Sequence, residues 1–171
     1  PGLFANRSVL GVNEKVIVER IMSTFAQVHI ELVVFGEKNQ DPTPLYEEAG
    51  FSFEYHFRPI GDELRRIYSS CDTLLCPSLY EGSGLPSMEA MACGAALVTT
   101  DTGGSRDYAI NEETALVSPA RDPEALAKNL NRVLIDSLLR LKLAEKGSQK
   151  HSKITPKSTN GRSGGSFLIY R

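Results

Sequence analysis

Glu81-Gly82-Ser83-Gly84-Leu85-Pro86-Ser87-Met88-Glu89-Ala90-Met91-Ala92-Cys93-Gly94 joins a glycine-rich turn to the start of a helix and brackets both with carboxylates. Glycines let backbone amides come close to an anion, and the first turn of a helix adds unpaired N–H groups and a partial positive charge. Pro86 suits the first helical position, where its missing N–H costs nothing and its fixed φ is already helical. The spacing therefore predicts a short helix that begins near Leu85 and ends at Gly94 as the C′ residue, with Leu85, Met88 and Ala92 as its apolar stripe. Glu89 falls one turn in, and helical side chains lean toward the N-terminus, so its carboxylate is aimed back at whatever the turn holds. Glu81 reaches the same place from the end of the preceding strand. A diphosphate with a ribose diol beside it suits such a turn.

Outward from this stretch, strand and helix signals alternate. Val16, Ile17, Ile21 and Phe25 recur at helical spacing, which predicts an amphipathic helix over residues 13–27. Short strands are expected over residues 31–35, 51–57, 73–76, 95–99 and 114–117. Asp62 is a candidate N-cap for a helix with Leu64, Ile67, Tyr68 and Cys71 on its apolar side, and Asp122 with Pro123 opens the longest helix. That last helix is expected to carry Leu126, Leu130, Val133, Leu134, Leu138 and Leu141 on one face. Alternation of this kind implies an α/β, doubly wound parallel sheet, in which ligands bind at the C-terminal ends of the strands. The glycine turn follows the strand over residues 73–76, where that rule puts a ligand.

The composition, with 41% hydrophobic residues, is that of a globular domain. Its net charge of −2 conceals an asymmetry: residues 1–139 carry 11 Lys/Arg against 20 Asp/Glu, a balance of −9, and residues 140–171 carry 8 against 1, a balance of +7. The acidic body argues against nucleic acid as a ligand, because binding a phosphate backbone needs a basic face. The basic end, rich in Gly, Ser, Lys and Asn, reads as a flexible tail over residues 147–171 that could touch membrane phosphates, with the domain proper over residues 1–146. Neither an apolar run of about 20 residues nor a signal peptide is recognised, so a cytoplasmic location is expected. Cys71, Cys76 and Cys93 lack metal or disulfide spacing and read as buried thiols. His29, His56 and His151 are unclustered and suggest core or surface roles.

The stretch from Glu81 to Glu89 resembles the E-x7-E signature of retaining GT-B glycosyltransferases, the family that includes sucrose synthases and many lipid and polysaccharide glycosyltransferases. Collinear pieces extend the resemblance over residues 32–136: Leu32-Val33-Val34-Phe35-Gly36, Phe57-Arg58-Pro59-Ile60-Gly61-Asp62-Glu63-Leu64, Cys71-Asp72-Thr73-Leu74-Leu75-Cys76-Pro77-Ser78, Thr102-Gly103-Gly104 and Asp122-Pro123-Glu124-Ala125-Leu126-Ala127. The resemblance is to the C-terminal, donor-binding half of that fold. It implies that Glu89 binds the ribose hydroxyls and Glu81 positions the transferred sugar. It further implies that Gly82, Ser83, Gly84 and Leu85 meet sugar hydroxyls and diphosphate through their amides, and that Pro59, Ile60 and Gly61 meet the base. Transfer of a hexose or deoxyhexose from a nucleoside-diphosphate sugar, without a metal or an enzyme nucleophile, follows from the same resemblance. The family adds an Arg and a Lys near the first strand of this half. Here no apolar strand ending in Gly-Arg precedes the first helix, and Arg7 is the nearest candidate, with Lys15 next. The first strand and the acceptor-binding N-terminal half are expected to be missing from this chain, which leaves one wall of an interdomain cleft and little activity in isolation.

Two other readings stay open. Gly82-Ser83-Gly84-Leu85-Pro86-Ser87 approaches a dinucleotide fingerprint, with Asp101 at the distance of its ribose-binding acid. A non-catalytic nucleotide-sugar-binding module, or a subunit that lends its donor site to a partner, is the alternative outside enzymes. Arg106 and Asp107 follow the Gly103-Gly104 turn and read as supporting residues.

Overall fold

The computed structural model describes residues 32–36, 53–151 and 167–170. Within them the chain runs β1 (Leu32–Gly36), β2 (Phe53–Phe57), α1 (Gly61–Ser69), β3 (Thr73–Cys76), α2 (Leu85–Ala92), β4 (Ala96–Thr100), a 3-10 turn (Gly104–Asp107), β5 (Ala115–Ser118), α3 (Pro123–Ile135), α4 (Ser137–His151) and β6 (Phe167–Tyr170). The helix expected over residues 13–27, with Arg7 and Lys15, lies outside the described residues.

One six-stranded sheet has the order β2-β1-β6-β3-β4-β5. β1 pairs parallel with β2, β3 with β4, and β4 with β5. Every residue of β3 and β4 is buried, as expected of parallel strands covered by helices on both faces. The order reverses between β1 and β3: the chain moves outward from β1 to β2, then returns and moves the other way from β3 to β5. Such a switch point opens a crevice at the C-terminal strand ends. The doubly wound α/β fold expected from the sequence is present.

The strand at that switch point is β6, which runs antiparallel to both neighbours, with Phe35 and Leu75 each paired to the β6 backbone. Residues 167–170 are thus part of the sheet rather than of a flexible tail, and α4 continues to His151, past the boundary expected at residue 146. A short apolar run inside a basic segment gave no periodicity from which to expect a central strand.

Three local expectations need correction. α1 begins at Gly61, with Ile60 in the N-cap position and Asp62 inside the first turn, where its carbonyl accepts from Arg66 Nε at 3.2 Å. The longest helix is two helices: Asp136 ends α3 and caps α4 by accepting from the Leu139 amide at 2.9 Å. Leu138 and Leu141 consequently leave the core face and are 79% and 64% exposed. Finally, α2 buries Pro86, Ser87, Glu89, Ala90 and Met91, while Leu85 is 48% exposed. The buried side of α2 is decided by its neighbours: Gly147 lets α4 approach so closely that a Cβ there would lie 2.9 Å from Met91 Cε. The start near Leu85 and the left-handed Gly94 after Cys93 at its end are as expected.

The core gathers Val33, Leu64, Ile67, Leu74, Met91 and Leu97 between sheet and helices. Tyr68 ties α1 to β1 by packing edge-on to Phe35, with ring centroids 5.6 Å apart. Among the described residues no helix is long and apolar enough to cross a membrane.

Candidate functional site

The glycine turn leaves β3 at the switch point, and two threonines of β4 pin the way out. Thr99 Oγ1 donates to the Cys76 carbonyl at 3.0 Å, and Thr100 Oγ1 donates to the Ser78 carbonyl. Glu81 then pairs with the next crossover: its amide donates to the Thr102 carbonyl at 3.2 Å, and it forms a parallel bridge with Gly103. Ser78 Oγ donates to Glu81 Oε1 at 2.7 Å, so one carboxylate oxygen is held on the protein side. The Glu81 charge and burial together push the Cys76 thiol up, burial most.

Gly104 is the contact on which this arrangement closes. A Cβ there would lie 2.6 Å from the Gly82 carbonyl carbon and 2.8 Å from the Glu81 oxygen, and nearer still to the Gly82 oxygen. Only glycine fits. Gly84 adopts φ 60°, ψ 44° in the N-cap position of α2 and accepts from the amides of Ser87 at 3.0 Å and Met88 at 3.3 Å. Among the described residues, the amides of Gly82, Ser83, Gly84 and Leu85 have no hydrogen-bond partner. Four successive unpaired amides at a helix N-terminus make an anion cradle. Gly82 and Ser83 are exposed, so the cradle opens to solvent.

The structure separates the two glutamates that bracket the stretch. Glu81 is half-buried beside the cradle, whereas Glu89 is 3% exposed on the inner side of α2. Glu89 lies beside the Tyr68 hydroxyl, whose pKa is raised well above its ordinary value by burial first and then by the Glu89 charge. Pro59, Ile60 and Gly61 sit at the same edge of the sheet, at the end of β2, with Ile60 60% exposed. Three strand spacings separate β2 from β3, about 14 Å. Arg58 before Pro59 has φ 47°, a left-handed conformation that a residue preceding proline adopts at a cost in strain.

Arg106 and Asp101 bind each other. The guanidinium donates from Nε to Asp101 Oδ1 at 3.0 Å and from Nη2 to Oδ2 at 2.8 Å, and Asp101 also accepts from the Gly103 amide at 3.2 Å. Arg106 holds the Asp101 carboxyl below its ordinary pKa. Asp101, the acid that a dinucleotide site would need on its ribose, is thereby spent on stiffening the turn.

Two residues that border the cradle were not legible in the sequence. Ser87, in the first turn of α2, is fully buried; its hydroxyl faces Cys76 and Tyr108 but completes no hydrogen bond among the described residues. Tyr108, four residues beyond Gly104, is 2% exposed, and its Cζ would lie 3.1 Å from a Cβ on Gly84, its hydroxyl closer still. The only signal for Tyr108 was an aromatic residue directly after the 3-10 turn, which equally describes a core residue.

Residues 15–150 match the family model described as glycosyl transferases group 1. D-inositol 3-phosphate glycosyltransferase of Salinispora tropica is 34% identical over 123 residues, covering 69% of this chain and 25% of that protein. The chain thus spans about a quarter of the length of that curated relative. Sucrose-phosphate synthase from Thermosynechococcus elongatus superimposes with a TM-score of 0.66 at 25% identity, over 84% of this chain and 39% of the other. HepE of Anabaena, solved in complex with UDP-glucose, has the same fold at a TM-score of 0.66 and 18% identity, over 81% of this chain and 40% of its own.

Proposed function

The chain belongs to the glycosyl transferases group 1 family, and from that premise we propose that it is the donor-binding half of a retaining glycosyltransferase, which moves a hexose or deoxyhexose from a nucleoside-diphosphate sugar to a glycan or lipid acceptor. The observation that carries this reading is the cradle of four unpaired amides over residues 82–85 at the switch point of the sheet. Those dipoles meet the charge that develops on a departing diphosphate, and they are fixed before the reaction starts. Ser78 fixes one oxygen of Glu81 and leaves the other for a sugar hydroxyl. Glu89 receives the ribose diol, its carboxylate accepting from the two hydroxyls. Main-chain groups of residues 59–61 meet the base, about 14 Å away across the sheet. The reaction runs without a resident metal.

The test is a calorimetric and thermal-shift titration of the purified chain with the diphosphates of uridine, guanosine, adenosine and thymidine. At least one raises the Tm through binding to the folded state, and EDTA leaves that shift intact. If none of the four binds, the donor-site reading fails. Sugar transfer by this chain alone is expected to be undetectable, because it supplies one wall of the cleft; robust turnover would overturn that part.

The ion pair of Arg106 with Asp101 favours a second reading, a nucleotide-sugar-binding module without activity, because this turn then offers no uncommitted cation to the leaving group. Turnover by the full-length protein decides between the two.

A further inference from the structure

We propose that Tyr108 is a positioning residue for the diphosphate: its hydroxyl sets the left-handed turn at Gly84 and so holds the amides of residues 82–85 open to the ligand. This rests on the donor-site reading above.

Tyr108 is anchored on every side except at its hydroxyl. Its amide donates to the Ser105 carbonyl at 3.1 Å, its carbonyl accepts from Thr114 Oγ1 at 2.7 Å, and its ring stands edge-on to His151 with centroids 5.9 Å apart. His151 is in turn the last residue of α4, the helix packed on α2 through Gly147. The phenol is therefore a rigid strut that begins on the crossover after β4 and ends on Gly84. Its hydroxyl fills the space that a side chain on residue 84 would occupy. It also faces the buried Ser87 hydroxyl one residue into the first turn of α2.

Gly84 has wide conformational freedom of its own. If it relaxed to a right-handed conformation, the 82–85 amides would turn and their shared focus would be lost. Gly104 supports this turn from the Gly82 side by close backbone contact, and Tyr108 supports it from the Gly84 side. The two supports come from one crossover, so the segment after β4 shapes a loop that belongs to β3.

Tyr108→Phe separates this role from packing. It keeps the ring against His151 and removes only the hydroxyl. The measurement is calorimetric affinity for UDP and for uridine, together with the Tm; if UDP is not the tightest of the four diphosphates, the tightest and its nucleoside replace the pair. The variant is expected to hold its nucleoside affinity and to lose roughly three- to tenfold in diphosphate affinity, the worth of one amide-to-diphosphate hydrogen bond that falls out of line when the turn loosens. Equal diphosphate affinity in variant and wild type overturns the proposal, as does a parallel loss for nucleoside and diphosphate, which is the mark of general loosening. If Tyr108→Phe does not fold, Ser87→Ala replaces it, with the same expected split and the same overturning results. Wild type that binds no diphosphate at all is a different failure: it removes the donor site, and the role of Tyr108 with it.

Discussion

Gly104→Ala is the substitution whose outcome the structure determines most sharply. The new Cβ would lie 2.6 Å from the Gly82 carbonyl carbon and 2.8 Å from the Glu81 oxygen. Carbon atoms settle at about 3.5–4.0 Å, so the two loops must part by about 1 Å or more. Both obstacles are backbone, and no side chain can rotate away. Overpacking of this kind costs about 1–3 kcal/mol, and parting the loops also stretches the 3.2 Å bond from the Glu81 amide to Thr102, worth about 1 kcal/mol. The sum, about 2–4 kcal/mol, lowers the Tm of a chain this size by roughly 4–16 °C.

The effect on binding is expected to be larger than the effect on folding. The displaced carbonyl belongs to Gly82, which is also the first residue of the amide cradle, and a misplacement of about 1 Å can cost on the order of a hundredfold. Calorimetry with UDP, or with whichever diphosphate binds, reads this directly, and a thermal melt reads the stability. Gly82→Ala is the control for the melt: a Cβ there meets nothing within 4 Å, so its stability stays within about 0.5 kcal/mol of wild type. A Gly104→Ala chain that melts and binds like wild type would refute the interlocked-loop geometry. So would a Gly82→Ala melt that falls as far.

Glu89→Ala weakens diphosphate-nucleoside binding by about 1.5–3 kcal/mol, the worth of a hydrogen bond to a charged group, and unchanged calorimetric affinity removes Glu89 from the ribose. Leu97→Ala, in a strand buried throughout, destabilises by about 2–5 kcal/mol in a denaturant melt; a loss below 1 kcal/mol would place Leu97 outside the core. Burial, and then the charge of Lys150, depress the His151 pKa, so the folded chain binds that proton less readily than the unfolded one. Its contribution to stability is therefore full above about pH 6.5, the unfolded value, and is lost as pH falls through the lower folded value; His151→Gln flattens the Tm profile across that window, and an unchanged profile rejects the assignment. Arg58→Gly relieves the left-handed strain before Pro59 and leaves the Tm unchanged or raised by up to a few degrees, whereas a clear drop would show that the arginine side chain repays its backbone cost.

The parts of the molecule governed by local chemistry were legible. Pro86 and Gly94 bound α2 because each acts through its own φ, and β3 and β4 announce themselves as apolar runs between turn signals. What depended on distant neighbours was hidden. The buried face of α2 follows from α4, whose Gly147 admits Met91 more than fifty residues away in sequence. The break at Asp136 was decided by a capping bond to Leu139, which competes locally with a leucine pattern that runs on through it. The burial of Glu89 beside Tyr68, a residue of α1, likewise depends on a neighbour that no local signal announces. Tyr108 could not be distinguished from an ordinary core aromatic, since its role rests on contact with a glycine 24 positions earlier.

Left-handed backbone follows each parallel strand from β2 onward: Arg58 and Gly61 after β2, Gly84 after β3, Gly103 after β4 and Arg121 after β5. The chain must turn sharply off the strand direction there, and a positive φ does so in one residue. The four ends differ in what else they demand. Gly61 has open space around it, and Gly103 has only Tyr80 Cε2 at 3.8 Å, so conformation alone favours glycine at these two. Arg58 and Arg121 show that the outer ends accept a full side chain. Only after β3, where Tyr108 fills the space at Gly84, do conformation and sterics exclude every other residue together. The least adjustable turn is thus the one with the unpaired amides, at the switch point, and the adjustable ones lie toward the edges, where a ligand presents its variable parts. A fold built this way can change the base or sugar it accepts by altering its outer loops while the anion cradle stays fixed.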